Sequence, residues 1–306
     1  MELLTFKTLW GHSDIQDIKS LETACGKAMD NGFAGIEGPI PASEEATEQF
    51  AMLLEKNNLR FIAEICTAGS YVPNRRASVQ QHLEDLAAQL NRIYPLQPML
   101  VNCIGGCDRW SVDDSVHFFQ QALKLADKAG IAISFETHRG RSLYSPWVAE
   151  QILSRINLPL TCDFSHWCVV CEGLGESEDD LLREVARHAR HIHGRIGYDQ
   201  GPQVSDPQSF LYWDDLQKHL RWWCWIWQAQ ILQGKEHSTF TPEFGPDGYQ
   251  MRNPHDGAPV GDLDSINHWM ARLCHHEFTK MEDEIQKTRD GLVPSPISRS
   301  NISPAL

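Results

Sequence analysis

Short runs of aliphatic, β-branched and aromatic residues alternate along the chain with longer stretches in which apolar residues recur at helical spacing. The runs predict eight strands over residues 3–9, 33–37, 61–66, 99–104, 131–136, 160–163, 191–197 and 240–244. The longer stretches predict eight helices over residues 15–29, 43–57, 78–93, 111–129, 146–156, 179–190, 214–233 and 264–289. Ser111 and Gly130 flank the fourth stretch as typical start and stop residues of a helix.

Eight alternating strands and helices favour an α/β fold with parallel strands and right-handed crossovers. A single (β/α)8 TIM barrel is the simplest closure of such a chain, and an open doubly wound sheet is the alternative. Against the open sheet, the first strand runs into Trp10-Gly11-His12-Ser13 rather than a glycine-rich dinucleotide loop, and no P-loop motif follows any strand. We assign residues 1–290 to the barrel and expect residues 291–306, which have Pro, Ser and Asn without periodicity, to form a flexible tail.

The chain has 306 residues, with 27 Lys plus Arg against 41 Asp plus Glu, for a formal charge of −14. Because nucleic-acid binding depends on Lys and Arg, this balance argues against a nucleic-acid partner. No stretch approaches the roughly 18 apolar residues of a membrane span, so no membrane association is expected. The first residues lack the features of a signal peptide, which favours a cytoplasmic protein.

Nine cysteines are scattered along the chain, and only Cys168 and Cys171 form a C-x-x-C pair. No second pair completes the usual spacing of a structural zinc site. We interpret the cysteines as reduced thiols that are mostly buried as small hydrophobic residues. A redox or metal-binding role of the Cys168–Cys171 pair is the alternative.

Polar residues follow four consecutive predicted strands, although a barrel interior is expected to be apolar except at its C-terminal mouth. The four segments are Glu136-Thr137-His138-Arg139-Gly140-Arg141, Asp163-Phe164-Ser165-His166, His191-Ile192-His193-Gly194-Arg195 and Pro242-Glu243-Phe244-Gly245-Pro246. Strand alternation places His191, His193 and Arg195 on one face. Three carboxylates that converge on one mouth would repel each other, and a divalent cation would remove that cost.

We therefore predict one divalent metal ion (Mn²⁺, Mg²⁺, Co²⁺ or Zn²⁺) bound by the four strand-end residues Glu136, Asp163, His193 and Glu243. Three carboxylates and one imidazole suit Mn²⁺, Mg²⁺ or Co²⁺ somewhat better than a structural zinc site. The alternative is a network of salt bridges between the carboxylates and three nearby arginines, Arg139, Arg141 and Arg195.

These segments, together with residues 32–37, resemble the xylose isomerase-like barrel superfamily, whose members include sugar isomerases, keto-sugar epimerases and endonuclease IV. The likeness extends from residue 3 to about residue 289, and the mouth loops are similar to those of the sugar phosphate isomerase/epimerase-like branch. The resemblance implies the same four metal ligands, with His193 rather than His191 as the histidine ligand, and a substrate-binding role for His166. The three-zinc endonuclease branch needs further histidines that residues 64–66 and 102–104 do not offer, so a nuclease site is not expected.

A metal flanked by two carboxylates suits removal of a proton next to a carbonyl, since a cation stabilises the resulting enediolate. In the epimerases of the superfamily, the acid/base pair corresponds to Glu136 and Glu243. We predict a metal-dependent isomerase or epimerase of carbohydrate metabolism that acts on a keto-sugar or an aldose, with manganese as a candidate ion. A lyase acting by β-elimination on an oxidised glycoside is the first alternative, and a non-catalytic sugar-binding barrel is the second.

Six residues are candidates for contact with a small carbohydrate substrate: His166, His138, Arg195, Gln203, Glu37 and Trp10. Arg195 is suited to hydroxyl or carboxylate groups, with an ion pair to a nearby acid as the alternative. Trp10 offers an aromatic face to sugar C–H groups, with ordinary packing as the alternative. The lack of a glycine-rich phosphate loop favours an unphosphorylated sugar.

Four tryptophans crowd one predicted helix at Trp222, Trp223, Trp225 and Trp227, and they spread over more than one of its sides. An amphipathic helix cannot bury all four against one barrel face. Either neighbouring helices cover the remainder or another copy of the chain does, which makes a homo-oligomer a candidate assembly.

Overall fold

A closed barrel of eight parallel strands forms the centre of the protein, as seen in a computed structural model that describes residues 1–12, 14–246 and 248–289. Each strand pairs with the next along the chain, and the last pairs with the first. The strands are β1 Glu2–Thr8, β2 Gly35–Pro39, β3 Arg60–Cys66, β4 Leu100–Ile104, β5 Ile133–Glu136, β6 Leu160–Cys162, β7 Ala189–His193 and β8 His237–Thr241. The TIM-barrel prediction is confirmed, whereas the predicted tail at 291–306 lies outside the described residues.

Helices surround the barrel between successive strands. They are α1 Ile18–Asp30, α2 Glu44–Lys56, α3 Val79–Arg92, α4 Val112–Ala129, α5 Pro146–Leu153, α6 Phe164–Val170, α7 Asp179–Ala186, α8 Trp213–Leu232 and α9 Leu263–Arg289. The predicted caps of α4 are present, because the Ser111 hydroxyl accepts from the Asp114 amide and Gly130 takes a φ of 68°. None of the described helices is long and apolar enough to cross a membrane.

The short helix α6 was not predicted from the sequence. It begins directly after Asp163, whose side chain accepts a hydrogen bond from the Ser165 amide and so caps the helix. Its seven residues are too few to show a helical repeat of apolar positions. As a consequence, the predicted substrate-binding residue His166 lies on the first turn of a helix rather than in a loop.

Two predicted strands end three or four residues earlier in the structure than in the sequence-based assignment. Strand β7 ends at His193, and β8 ends at Thr241. Arg195 and Glu243 therefore lie in the segments that follow these strands. Both side chains are nevertheless buried at the barrel mouth, where the chain turns towards the next helix.

Four tryptophans of α8 are buried within this one chain, namely Trp222, Trp223, Trp225 and Trp227. Trp223 packs edge to face on Phe240 of β8 at 5.1 Å, and Trp222 on Phe164 of α6 at 5.8 Å. Trp227 packs on Phe278 of α9 at 5.5 Å, and Arg183 of α7 lies 3.9 Å above the Trp225 ring. The neighbouring helices α7 and α9 thus cover the sides of α8 that do not face the barrel. The tryptophans give no support for a second chain, and a homo-oligomer stays a prediction.

The barrel interior is apolar only in its lower part, which corrects the expectation that polar residues are confined to the mouth. Leu4, Phe6, Ile62 and Leu100 form a separate apolar cluster. Two residues further along β3 and β4 stand Glu64 and Asn102. Other buried polar side chains occupy the interior above the cluster, namely Glu37, Ser134, Thr161, His191 and Thr239. This polar interior lies directly beneath the candidate site.

All nine cysteines carry free thiols in the structure. Cys168 and Cys171 lie within and just after α6, and Cys168 Sγ is 3.9 Å from His219 Nε2. Burial raises the pKa of both thiols, which lowers their reactivity. These features are those expected of buried, reduced thiols.

Candidate metal centre

The four predicted metal ligands converge at the C-terminal mouth of the barrel. Candidate ligand atoms of Glu136, Asp163 and His193 all lie within 4.8 Å of one another. Glu243 completes the group, with Oε2 3.1 Å from His193 Nδ1. The exposed fraction is 2% for Glu136, 0% for Asp163 and His193, and 7% for Glu243. Four residues at or just after the ends of separate strands thus form one buried cluster.

Burial and mutual repulsion perturb the acids of this cluster. Burial raises the pKa of Glu136 to about 8, and the nearby carboxylates of Glu243 and Asp163 add to the shift. Burial also raises the pKa of Asp163. Burial acts on Glu243 in the same direction, but His193 and Arg195 outweigh it and hold its pKa below the usual value. The carboxylates therefore crowd one another, and they suit a cation that would keep all of them ionised.

The donor set passes a further test of fit to a divalent metal. His193 Nδ1 is buried without a well-aligned hydrogen-bond partner among the described residues. This nitrogen lies 3.5 Å from Glu136 Oε2 and 3.1 Å from Glu243 Oε2. An imidazole nitrogen that faces two carboxylate oxygens at these distances is a donor set that suits Mn²⁺, Co²⁺ or Zn²⁺. The residues present fit such an ion.

The competing salt-bridge network is present only in part. Arg195 pairs with Asp163 and lies 3.7 Å from Glu243 Oε2. In contrast, the Arg141 guanidinium donates to backbone carbonyls, including that of Thr67 at 2.7 Å, and Arg139 lies over the Tyr249 ring at 5.1 Å. Among the described residues, Arg195 alone of the three arginines in the predicted network contacts carboxylates of the cluster, those of Asp163 and Glu243. One guanidinium leaves negative charge in the cluster uncompensated.

His166 and His138 lie beside the cluster with their ring centroids 3.9 Å apart. Burial lowers the pKa of both residues, so both rings are neutral. His166 Nε2 faces Arg195 Nη2 at 2.9 Å and therefore accepts, which leaves its proton on Nδ1. That Nδ1 is buried and has no hydrogen-bond partner among the described residues. His166 thus holds an unpaired N–H donor in the mouth cluster, and its Nε2 is 3.9 Å from Glu136 Oε1.

Two other predicted substrate contacts are engaged by the protein itself. Both Glu37 oxygens face histidines at 2.9 Å, His191 Nε2 and His193 Nε2. The Gln203 amide pairs with the backbone of Gly245, donating to its carbonyl at 3.0 Å and accepting from its amide at 2.9 Å. Gln203 thereby fixes the segment that carries Glu243. A sugar contact for Glu37 or Gln203 remains a prediction.

Trp10 lies at the edge of the cluster, with Arg195 Cζ 5.4 Å from its ring centroid. A Cβ at Gly245 would come within 2.1 Å of the indole, so only glycine allows the segment after β8 to pass so close to Trp10. Trp10 also lines a cavity of about 490 Å³ together with residues of β1, α1 and α9, among them Lys7, Lys27 and Asp264. None of the four predicted metal ligands, which all lie in the described part of the chain, lines this cavity.

The sequence profile of the xylose isomerase-like TIM barrel family matches residues 25–198, which is more than half of the chain. The chain belongs to the xylose isomerase-like TIM barrel family. No curated protein sequence matches it significantly.

Solved structures share the fold of this xylose isomerase-like barrel at low sequence identity. An L-ribulose 3-epimerase is 14% identical, with a TM-score of 0.65 over 94% of this chain and 98% of its own. The probable 3-DHS dehydratase AsbF from Bacillus anthracis, involved in petrobactin synthesis, is 14% identical, with a TM-score of 0.56 over 89% and 98%. The IolI protein with a bound zinc atom is 14% identical, with a TM-score of 0.58 over 91% and 98%. These likenesses establish the fold.

Sequence reasoning missed two residues of this xylose isomerase-like site. Asn102 of β4 donates to Glu136 Oε2 at 2.7 Å, and a polar residue inside an apolar strand was the available signal. Tyr249 packs edge to face on Trp10 at 5.0 Å, and Arg195 Cζ lies 4.8 Å from its ring centroid. Tyr249 follows a loop glycine without any periodic pattern, so the sequence held no signal for its position.

Glu64 of β3 also belongs to the mouth of this xylose isomerase-like barrel. Burial raises its pKa to about 8, with Glu243 and Glu37 contributing in the same direction. It is therefore a mostly protonated carboxyl group at neutral pH. Its inward parity on β3 was visible in the sequence, but its charge state depends on neighbours from other strands.

Proposed function

We propose that this protein is a divalent-metal-dependent sugar isomerase or epimerase that acts on a keto-sugar or an aldose through an enediolate. The observation that supports it is the buried cluster of three carboxylates around the unpaired Nδ1 of His193. Solved structures of the same fold include a D-allulose 3-epimerase and an L-ribulose 3-epimerase, which agrees with this chemistry.

The metal would be held by Glu136, Asp163, His193 and Glu243. A divalent cation at this position would polarise a substrate carbonyl and stabilise the negative charge that develops on its oxygen. Proton transfer would fall to Glu136 and Glu243, whose carboxylates both lie beside His193 Nδ1. One carboxylate would remove the proton next to the carbonyl, and the other would return one to the opposite face or to the neighbouring carbon.

Other side chains of the mouth would bind and orient the sugar. His166 offers its unpaired Nδ1–H to a hydroxyl oxygen, while the pairing of Arg195 with Asp163 holds that guanidinium beside the cluster. The rings of Trp10 and Tyr249 form an aromatic wall that matches the apolar face of a sugar ring. Burial of the cluster keeps bulk water away from the reacting carbon, which protects an enediolate from side reactions.

A metal-dependent lyase is the second candidate. β-Elimination begins with the same proton removal and then expels a group bound one carbon further on. A probable dehydratase on the same fold agrees with elimination at such a site.

The decisive experiment measures bound metal in the purified protein and then follows solvent deuterium entering ketoses, aldoses and 3-keto-glycosides. Deuterium in recovered sugar supports proton transfer, epimer or isomer formation identifies an isomerase, and release of an unsaturated product identifies a lyase. A protein that binds sugars without exchanging deuterium is a binding barrel. The double variant Glu243→Gln with Asp163→Asn should lose both metal and exchange, whereas Glu55→Gln on the exposed face of α2 should retain both. Unchanged metal content in the double variant would refute the assigned site.

A further inference from the structure

A continuous hydrogen-bonded chain lies beneath the candidate metal centre and ends at His193. His191 Nδ1 is 2.8 Å from Thr239 Oγ1, and His191 Nε2 is 2.9 Å from Glu37 Oε2. The other oxygen of Glu37, Oε1, is 2.9 Å from His193 Nε2. All four side chains are buried inside the barrel, with exposed fractions of 6% or less.

We propose that Glu37, held in place by His191, is a positioning residue that fixes the ring of His193 so that Nδ1 is the atom that binds the metal. This inference rests on the proposed metal site and goes beyond it, because it names the coordinating atom and the residues that select it. It also gives His191 and Glu37 a role distinct from contact with substrate.

The direction of each hydrogen bond follows from the chemistry of the groups. An ionised carboxylate only accepts, so the ring nitrogens that face Glu37, which are Nε2 of His191 and Nε2 of His193, both carry protons. A histidine that binds a metal is a neutral imidazole with one protonated nitrogen, so the lone pair that His193 would offer to a cation is on Nδ1. That atom lies between Glu136 Oε2 and Glu243 Oε2, where a cation would meet it.

Asn102 does not compete for this role. Its Nδ2 lies 3.4 Å from His193 Nε2 but donates to Glu136 Oε2 at the shorter distance of 2.7 Å. Both His193 Nε2 and Asn102 Nδ2 are donors, so neither satisfies the other. Glu37 is the acceptor for His193, and Asn102 in turn orients the carboxylate of Glu136.

The geometry also explains why two histidines occur on β7. His191 and His193 point into the barrel one layer apart, with their rings at 88° and their centroids 5.1 Å apart. The lower ring is tied to β8 through Thr239 and to β2 through Glu37. A carboxylate held at both oxygens cannot rotate, and a histidine bound to it keeps one ring orientation. Partners of this kind raise the metal affinity of histidine ligands in proteins.

The test is the substitution Glu37→Gln, with Glu55→Gln on the exposed face of α2 as the matched control. A glutamine oxygen can accept from one of the two histidines, but its amide NH₂ then faces the N–H of the other. Titration of metal-free protein with Mn²⁺ and with Zn²⁺ by calorimetry should show about 10–100-fold weaker binding for Glu37→Gln and no change for Glu55→Gln. Circular dichroism melts of both variants check that they are folded.

A second measurement needs no variant and covers the case in which Glu37→Gln fails to fold. In wild-type protein labelled with ¹⁵N-histidine, added Zn²⁺ should shift Nδ1 of one ring while its Nε2 stays protonated. Zinc on Nε2, or equal metal affinity of folded Glu37→Gln and Glu55→Gln, would overturn the inference and leave the proposed metal site standing. Wild-type protein that binds neither ion would overturn both.

Discussion

At the scale of single residues, the site depends on buried charges that compensate one another only incompletely. Arg195 pairs with Asp163 in a region without solvent, and a buried charge that loses its partner destabilises a protein strongly. Glu136 has no guanidinium partner among the described residues and receives an amide hydrogen bond from Asn102 instead. The stability of the protein should therefore respond to the charge state of this cluster.

Removal of the Arg195 guanidinium should test how strongly the stability of the protein depends on the charges of this cluster. We expect Arg195→Met to lower the free energy of unfolding of the metal-free protein by about 3–5 kcal/mol, because Asp163 remains buried without its partner. The matched change Arg155→Met breaks the exposed pair with Asp113 and should cost less than about 1 kcal/mol. Urea unfolding followed by tryptophan fluorescence measures both, and equal costs would show that the buried pair is not special.

The raised pKa of Glu136 predicts a pH dependence of stability for the metal-free protein. Between the usual pKa of a glutamate and about 8, the folded state holds a proton on this residue that the unfolded state has released. Stability should therefore fall as pH rises through this window. The raised pKa of His193 acts in the same direction, since the stability it contributes is also lost with rising pH. Urea unfolding in EDTA at pH 5.5, 7 and 8.5 should show the decline, and Glu136→Gln should flatten it.

At the scale of elements, α8 shows how one helix can bury aromatic residues on several sides. The barrel covers one side, and α7 and α9 cover the flanks through Arg183 and Phe278. The short α6 has a similar double role, because Asp163 is both its cap and a predicted metal ligand. Packing and function therefore share residues at the ends of strands.

The packing of α8 leads to a stability prediction. Trp223→Ala should lower the free energy of unfolding by about 3–5 kcal/mol, since the indole is fully buried against Phe240 and its removal leaves a cavity. Phe210→Ala, at a side chain that is 89% exposed, should change stability by less than about 0.5 kcal/mol. Urea unfolding of the two variants and of the wild type measures these differences in the free energy of unfolding. A small effect at Trp223 would mean that the site collapses around the lost ring.

At the scale of the whole molecule, metal binding should couple to folding, because the four predicted ligands come from the ends of four strands that meet only in the closed barrel. Metal at 100 times its dissociation constant would stabilise the fold by about 2.7 kcal/mol. Thermal unfolding with EDTA and with added Mn²⁺ should therefore show a higher melting temperature in Mn²⁺. The variant Glu243→Gln with Asp163→Asn should lose this shift, and a shift that persists in it would place the metal elsewhere.

The sequence alone carried much of the fold and part of the site. Each predicted strand overlaps an observed strand. This succeeded because the apolar run of a strand and the helical spacing of apolar residues are both local properties of the chain. The residues at the strand ends, such as Glu136 and His193, were recognisable because charged and imidazole groups rarely follow a buried strand without a partner. The family resemblance added the choice of His193 over His191.

The tertiary structure decided what depends on distant parts of the chain. Glu37 and His193 are 156 positions apart, and only the closed barrel brings them to 2.9 Å. The position of Tyr249 over Arg195 and the burial of four α8 tryptophans depend on how loops and helices pack around that barrel. Alternation along a strand decides which side chains point inward, and this is written in the sequence. Which inward side chains touch is decided by barrel closure and strand register, because these set the distance between residues on different strands.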